Sequence, residues 1–345
     1  VQADDSANNA TPPVHAWLIL AFAILAVSSA GAVFRTMDGV GPILKASWRL
    51  QATALVLLIP FIFQYRSASP EDKARWFTGN NRLILIGSGV CLWLHFAAWV
   101  WSLDHTSLTH SLLFVTAHPL VFVVGMFIMR NSPHRLESVG AMLGFAGAGI
   151  ALQDVGGGGE VTLIGDAAAF LGALAIVGYL TAGRVLRNQQ RMPLFIYAFP
   201  VTLLCAVLLT ASAYLFEDAT FSQSIPSIAA FGWLDLAWLL PVTYLALGPG
   251  LVGHTGINAS LRWLPPLVIS VGVVLEPLIG SLIGWLLNVE QVPGIWTLVG
   301  GPLMVIGCAS AIVGTQRRMG REASMPEGSV AGELIELSDY ENEAE

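Results

Sequence analysis

The chain has 345 residues, of which 55% are hydrophobic and 11% charged, with a mean hydropathy of +0.68; ordinary soluble domains carry roughly 25% charged residues. Its formal charge of -7 is concentrated at one end: Glu322, Glu327, Glu333, Glu336, Asp339, Glu341, Glu343 and Glu345 all fall in the last 24 positions. A nearly neutral and strongly apolar body excludes a soluble enzyme, a nucleic-acid binder and a disordered scaffold.

In chain order, residues 1–15 are polar and lack the basic start of a signal peptide, so they read as a tail; Val1 in place of Met leaves room for a short preceding piece. A hydrocarbon core of about 30 Å takes roughly 20 apolar residues per helix. Polar breaks divide the chain beyond the tail into ten such stretches: 16–34, 42–63, 82–103, 106–129, 136–153, 165–186, 193–216, 235–261, 264–287 and 292–315. They are rich in Gly, Ala and Leu and lack the alternation of barrel strands, which predicts an all-α integral membrane protein. Their connections are short except at 64–81, 154–164 and 217–234. Gly156 to Gly159 make 154–164 a flexible linker, and no Lys-Ser/Thr comes after them to make it a phosphate loop. From Gln316 to Glu345 the acidic tail is expected to be disordered, with Arg321-Glu322-Ala323-Ser324 a candidate phosphorylation site. Cys91, Cys205 and Cys308 are scattered in apolar runs, as buried small hydrophobes are, and form neither a disulfide framework nor a metal site. No cofactor is called for.

Ten spans put the N-tail, the even-to-odd loops and the C-tail on one side. That side holds 13 of the 16 basic residues, with Arg35 on the other and Lys45 and Arg49 inside span two. The positive-inside rule then makes both termini cytoplasmic and the glycine linker external.

The second half of the sequence matches the first at an offset of 158. His95 to Pro119 lies on Gly253 to Pro277 without a gap, with Ser102-Leu103 on Ser260-Leu261 and His118-Pro119-Leu120 on Glu276-Pro277-Leu278; a shift of two then sets Val139-Gly140 on Val299-Gly300 and Gly147 on Gly307. Five spans per copy is odd, so the copies enter the membrane from opposite sides. Residues 16–153 and 165–315 then form an inverted repeat, as in carriers that work by alternating access.

Together with Ala46-Ser47-Trp48-Arg49-Leu50 in span two, Gly183-Arg184 in span six and Glu276-Pro277-Leu278 in span nine, this pattern over residues 16–315 resembles the drug/metabolite transporter superfamily, specifically its EamA-type members. The resemblance implies a central cavity within spans 1–4 and 6–9, with spans five and ten peripheral, and favours export. It leaves the solute open, since similar proteins move amino acids, nucleotide sugars and organic cations. His118 in place of an acid before Pro119 departs from the pattern.

Glu276, deep within span nine, reads either as a proton-coupling or substrate-ammonium site or as a protonated structural residue beside the helix-loosening Pro277. His118, its repeat mate, reads as the second half of a proton relay or as a neutral core histidine. Ser88, His95, Trp99 and Ser102 share one face of span three, and Tyr244, Gly248, Thr255 and Asn258 match them on span eight. These stripes would line a cavity or bond helix to helix. His254 shares the side of Asn258, and Tyr179 in span six is a further cavity candidate. Trp48 and Arg49 lie about 10 Å deep at 1.5 Å per residue; Arg49 could bind a carboxylate or phosphate, or form a gate or structural ion pair. Lys45 and Arg184 lie near span ends, where they can snorkel. Gly140, Gly144 and Gly147, and Gly280 with Gly284, predict close helix packing.

The sequence therefore predicts a secondary transporter, an exporter or exchanger of a small metabolite, in which Glu276, alone or with His118, binds and releases either a proton or a cationic substrate group. A nucleotide-sugar or phosphorylated-metabolite antiporter is the alternative within the same superfamily. Gly-x-Ser-x-Gly and His-Glu-x-x-His are missing, which weighs against an intramembrane enzyme, and a static pore fits intramembrane charge less well. Expected partners are the solute, a proton and lipid, with no nucleic acid; homodimerisation and the choice between plasma membrane and endomembrane are left open.

Overall fold

The computed structural model describes residues 12–106, 108–129, 133–151, 153, 162–289 and 295–324. Most of the N-tail, the glycines of the linker and the acidic tail from 325 lie outside the described residues. Those described are helical, and their single β feature is an isolated bridge between Thr220 and Ala229.

The first span is two helices, α1 (Val14–Ser28) and α2 (Ala30–Arg35), interrupted at Ser29. Pro42 fits the first turn of α3 (Pro42–Ser67), where its missing N–H costs nothing. The free N–H groups of Ile43 and Leu44 there donate to the Glu217 carboxylate at 2.8 and 2.9 Å, a cap supplied from another part of the chain. The predicted 64–81 connection contains a short helix, α4 (Pro70–Phe77), with Ser69 as N-cap and Glu71 and Asp72 in its first turn. Beyond it are α5 (Gly79–Leu103), α6 (Leu108–Val115), α7 (His118–Ile128) and α8 (Arg135–Ala151).

The second half opens with α9 (Leu163–Arg184), capped by the Thr162 hydroxyl on the Gly165 N–H and extended by a π-helical turn, Val185–Gln189. After α10 (Leu194–Phe216) comes an irregular segment, then α11 (Leu236–Leu245), a long π-helical stretch Ala246–Thr255, α12 (Gly256–Ser260), α13 (Pro266–Val273), α14 (Glu276–Leu286) and α15 (Ile295–Ser324).

Eight helices among the described residues are long and apolar enough to cross a membrane: Val14–Arg35, Pro42–Ser67, Gly79–Leu103, Leu163–Gln189, Leu194–Phe216, Leu236–Ser260, Pro266–Leu286 and Leu298–Arg321. The protein is thus an all-α, multi-pass membrane protein. Two predicted spans fall short of that length. The one at 106–129 is split into α6 and α7, and the one at 136–153 is the 17-residue α8. Residues 316–324, expected in the tail, instead belong to α15, which runs on to Ser324. Arg318 and Thr315 hold it there by bonding the buried Glu137 carboxylate of α8 at 2.9 and 2.7 Å.

One pair of helices in the first half has a counterpart in the second. Leu108 to Pro266, Val115 to Val273, His118 to Glu276 and Ile128 to Leu286 are each 158 residues apart, so α6 and α7 recur as α13 and α14 with the same break. Helices pack across the halves: α8 on α15, α5 on α9, α3 on α10, and α1 on the Ala246–Thr255 stretch. Between α8 and α15 the predicted glycine contact is real. A Cβ on Gly140 would lie 2.6 Å from the Gly307 carbonyl, and one on Gly147 would lie 2.7 Å from that of Gly300. Each half also closes one loop with an arginine. Arg35 donates to the Thr106 carbonyl at 3.3 Å, and Arg184 to those of Leu261 and Leu264 at 2.8 and 3.3 Å.

Candidate functional site

A buried cavity lies between the two halves, lined by Val27 of α1, Arg49 of α3, His95 and Trp99 of α5, Val115 and Thr116 at the α6–α7 break, His118 of α7, Ile176, Tyr179 and Leu180 of α9, His254, Ile257, Ile269, Val273, and Glu276 of α14. Seven residues picked out in the sequence meet here: Arg49, His95, Trp99, His118, Tyr179, His254 and Glu276. All are buried. The breaks before His118 and Glu276 bring both to the start of a helix at the cavity wall.

Arg49 is the unusual member. It is 1% exposed, and its Nε, Nη1 and Nη2 have no hydrogen-bond partner among the described residues. Its guanidinium instead lies over the rings of Phe96 and Phe34, 4.7 and 5.8 Å from their centroids. Cation–π attraction of this kind offsets part of the cost of desolvating a charge and satisfies no N–H. The indole Nε1 of Trp99 and the Nδ1 of His254 are also without partners among the described residues. Glu276 accepts no hydrogen bond from a described residue.

The other side chains are braced. His95 bonds the Gly172 carbonyl through Nδ1 at 3.0 Å and stacks on Trp99, centroid to centroid 5.9 Å. His118 bonds Ser270 through Nδ1. Tyr179 donates to Asn258 Oδ1 at 2.9 Å. Asn258 faces a smaller adjoining pocket, which it shares with Arg49, Tyr179 and His254.

Two candidates are elsewhere. Trp48 faces away from Arg49, and its Nε1 donates to the Ala229 carbonyl at 3.0 Å while its ring meets Trp238. Tyr244 is 45% exposed and donates to Ser29 at 2.9 Å. The reason is geometric: the stripe from Tyr244 to Asn258 assumes 3.6 residues per turn, but the π-helical stretch between them winds with i→i+5 bonds and turns Tyr244 off the cavity side. Ser88 and Ser102 serve packing, bonding Tyr197 and Ser111. Lys45 pairs with Asp104 at 3.5 Å. Thr116 and the Phe34 and Phe96 rings under Arg49 escaped the sequence reading, because nothing in their spacing sets them apart from other apolar positions.

Among the described residues no three His, Cys, Asp or Glu gather as a metal site would need. No family model matches the chain, and no curated protein matches it in sequence. Solved structures do match. One of them, described only as a crystal structure of a protein, superposes with a TM-score of 0.67 at 19% identity, covering 87% of this chain and 98% of the other. At that identity the likeness is one of fold.

Proposed function

We propose that the protein is a secondary transporter of a small metabolite, an exporter or exchanger that works by alternating access, with Glu276 as its proton-binding group. The observation that carries this reading is the cavity itself, a largely apolar pocket that holds one arginine, three histidines and one carboxylate between the halves of a membrane bundle. Intramembrane ionisable groups of this kind mark solute and proton paths. The reading includes ten spans arranged as two inverted five-helix repeats of the EamA type, with both termini cytoplasmic. Three features support it: the recurrence of α6 and α7 as α13 and α14, the reciprocal contacts of Gly140 with Gly307 and Gly147 with Gly300, and the matching arginine-to-carbonyl bonds of Arg35 and Arg184. Carriers of inverted-repeat design place their sites where broken helices meet at the midplane. The phosphorylated-metabolite alternative draws on one observation, the unpartnered Arg49 guanidinium.

The test needs no knowledge of the solute. With Cys91, Cys205 and Cys308 replaced by Ala, Thr116→Cys places one thiol in the cavity wall. A membrane-impermeant maleimide should label it from either face of oriented vesicles. Labelling from one face alone would make the cavity a one-sided receptor, and labelling from neither would remove it from any transport path.

A further inference from the structure

We infer that the cavity seats a small monocarboxylate with an apolar body, its oxygens held by the Arg49 guanidinium, and that this anion crosses together with one proton carried by Glu276. The inference rests on the carrier reading and adds the ligand to it.

The unsatisfied atoms decide the chemistry. Arg49 presents three nitrogens and Trp99 an indole N–H, all donors without partners among the described residues, and the rings under Arg49 offer no acceptor. Buried donors call for an oxyanion, and a carboxylate matches the planar fork of a guanidinium with two parallel bonds. An ammonium needs several acceptors, whereas Glu276 is the one carboxylate in the lining. Val27, Val115, Ile176, Ile269 and Val273 make the remaining wall apolar, which suits a short branched hydrocarbon.

Charge counting then fixes the coupling. Arg49 and Glu276 balance one another across the cavity, and a carboxylate bound to Arg49 removes that balance. An uncompensated Glu276 carboxylate in so enclosed a site is costly, so anion and proton bind together. A phosphate dianion would leave net negative charge even after Glu276 takes its proton. The titratable groups facing Glu276 in the lining are Arg49, His95, His118, Tyr179 and His254. Of the helices packed on α14, α1 and α6 contribute Val27 and Val115 to the lining, and α2 and α8 contribute no described residue.

The purified full chain is to be titrated with isobutyrate, valine and inorganic phosphate, reading thermal stabilisation and, in weak buffer, proton uptake. Isobutyrate should stabilise the protein and take up one proton per molecule bound, while valine and phosphate do neither. Arg49→Lys, which keeps the charge and loses the fork, should weaken isobutyrate binding by roughly tenfold or more. Glu276→Gln should bind isobutyrate without proton uptake, and in vesicles exchange it without accumulating it on a pH gradient. Stabilisation by valine or phosphate in place of isobutyrate, or proton uptake surviving in Glu276→Gln, would overturn the inference. Two-sided labelling of Thr116→Cys with no response to isobutyrate overturns the ligand and leaves the carrier; isobutyrate binding with one-sided labelling does the reverse.

Discussion

At the scale of single residues the cavity sets braced groups, His95, His118 and Tyr179, beside polar atoms of Arg49, Trp99 and His254 that have no partner among the described residues. The bracing can be weighed. Tyr179 and Asn258 are both buried and bonded at 2.9 Å, so Tyr179→Phe should lower stability by about 1 kcal/mol, and a double-mutant cycle with Asn258→Ala in thermal melts should show the two losses to be coupled. Glu217, outside the spans, offers a pH test. Burial pushes its carboxyl above the usual range, against the pull of the Ile43 and Leu44 N–H groups. A carboxyl raised on folding adds stability that is complete below its unfolded value of about 4.3 and is lost as the pH rises through the folded one. Melting temperature should therefore fall less between about pH 4 and pH 7 in Glu217→Gln than in the parent. Most of the cavity was legible because ionisable and aromatic groups deep in apolar runs are rare. Trp48 shows the limit: adjacent to Arg49 in sequence, it points to another face of α3, where it meets Ala229.

At the scale of elements, the tightest joint is that of α8 and α15. Gly147→Ala would press its new methyl against the backbone of Gly300 and Met304, both at 2.7 Å, where no flexible side chain can yield. It should cost about 1–3 kcal/mol. Gly149→Ala on the same helix meets nothing within 4 Å and serves as the control, neutral or slightly stabilising in the same melt. The loosening between α13 and α14 was legible through Pro277, whereas the break between α6 and α7 fell inside what reads in the sequence as one continuous span. The π-helical stretch Ala246–Thr255 was not legible, since a change from i→i+4 to i→i+5 bonding leaves hydropathy unaltered, and the side-chain register of α11 was misread in consequence.

At the scale of the molecule, composition alone indicated a multi-pass helical protein, and the eight long helices agree with it. The stretches at 108–128 and 135–151 separate an eight-span from a ten-span path. Single cysteines at Asp38, Arg75, Arg135 and Ser222, each exposed, distinguish the two with an impermeant label. Ten spans put Arg135→Cys on the side of Arg75→Cys, opposite Asp38→Cys and Ser222→Cys; eight spans put it with Asp38→Cys. Hydropathy could not separate these paths, because a broken helix and a continuous one can have the same composition.

The segment between α10 and α11 is tied to α3 at several points. Glu217 caps its first turn, Trp48 and Gln51 bond the Ala229 and Ala230 carbonyls, and Trp233 donates to Gln51 Oε1 at 2.8 Å. Arg49 sits on the same helix, one residue from Trp48. Under the proposed alternating access, a tilt of α3 that opened the cavity would drag this segment with it and change the surroundings of Trp48, Trp233 and Trp238. The protein would then carry its own optical reporter, and tryptophan emission should change when the cavity is filled, without any attached dye.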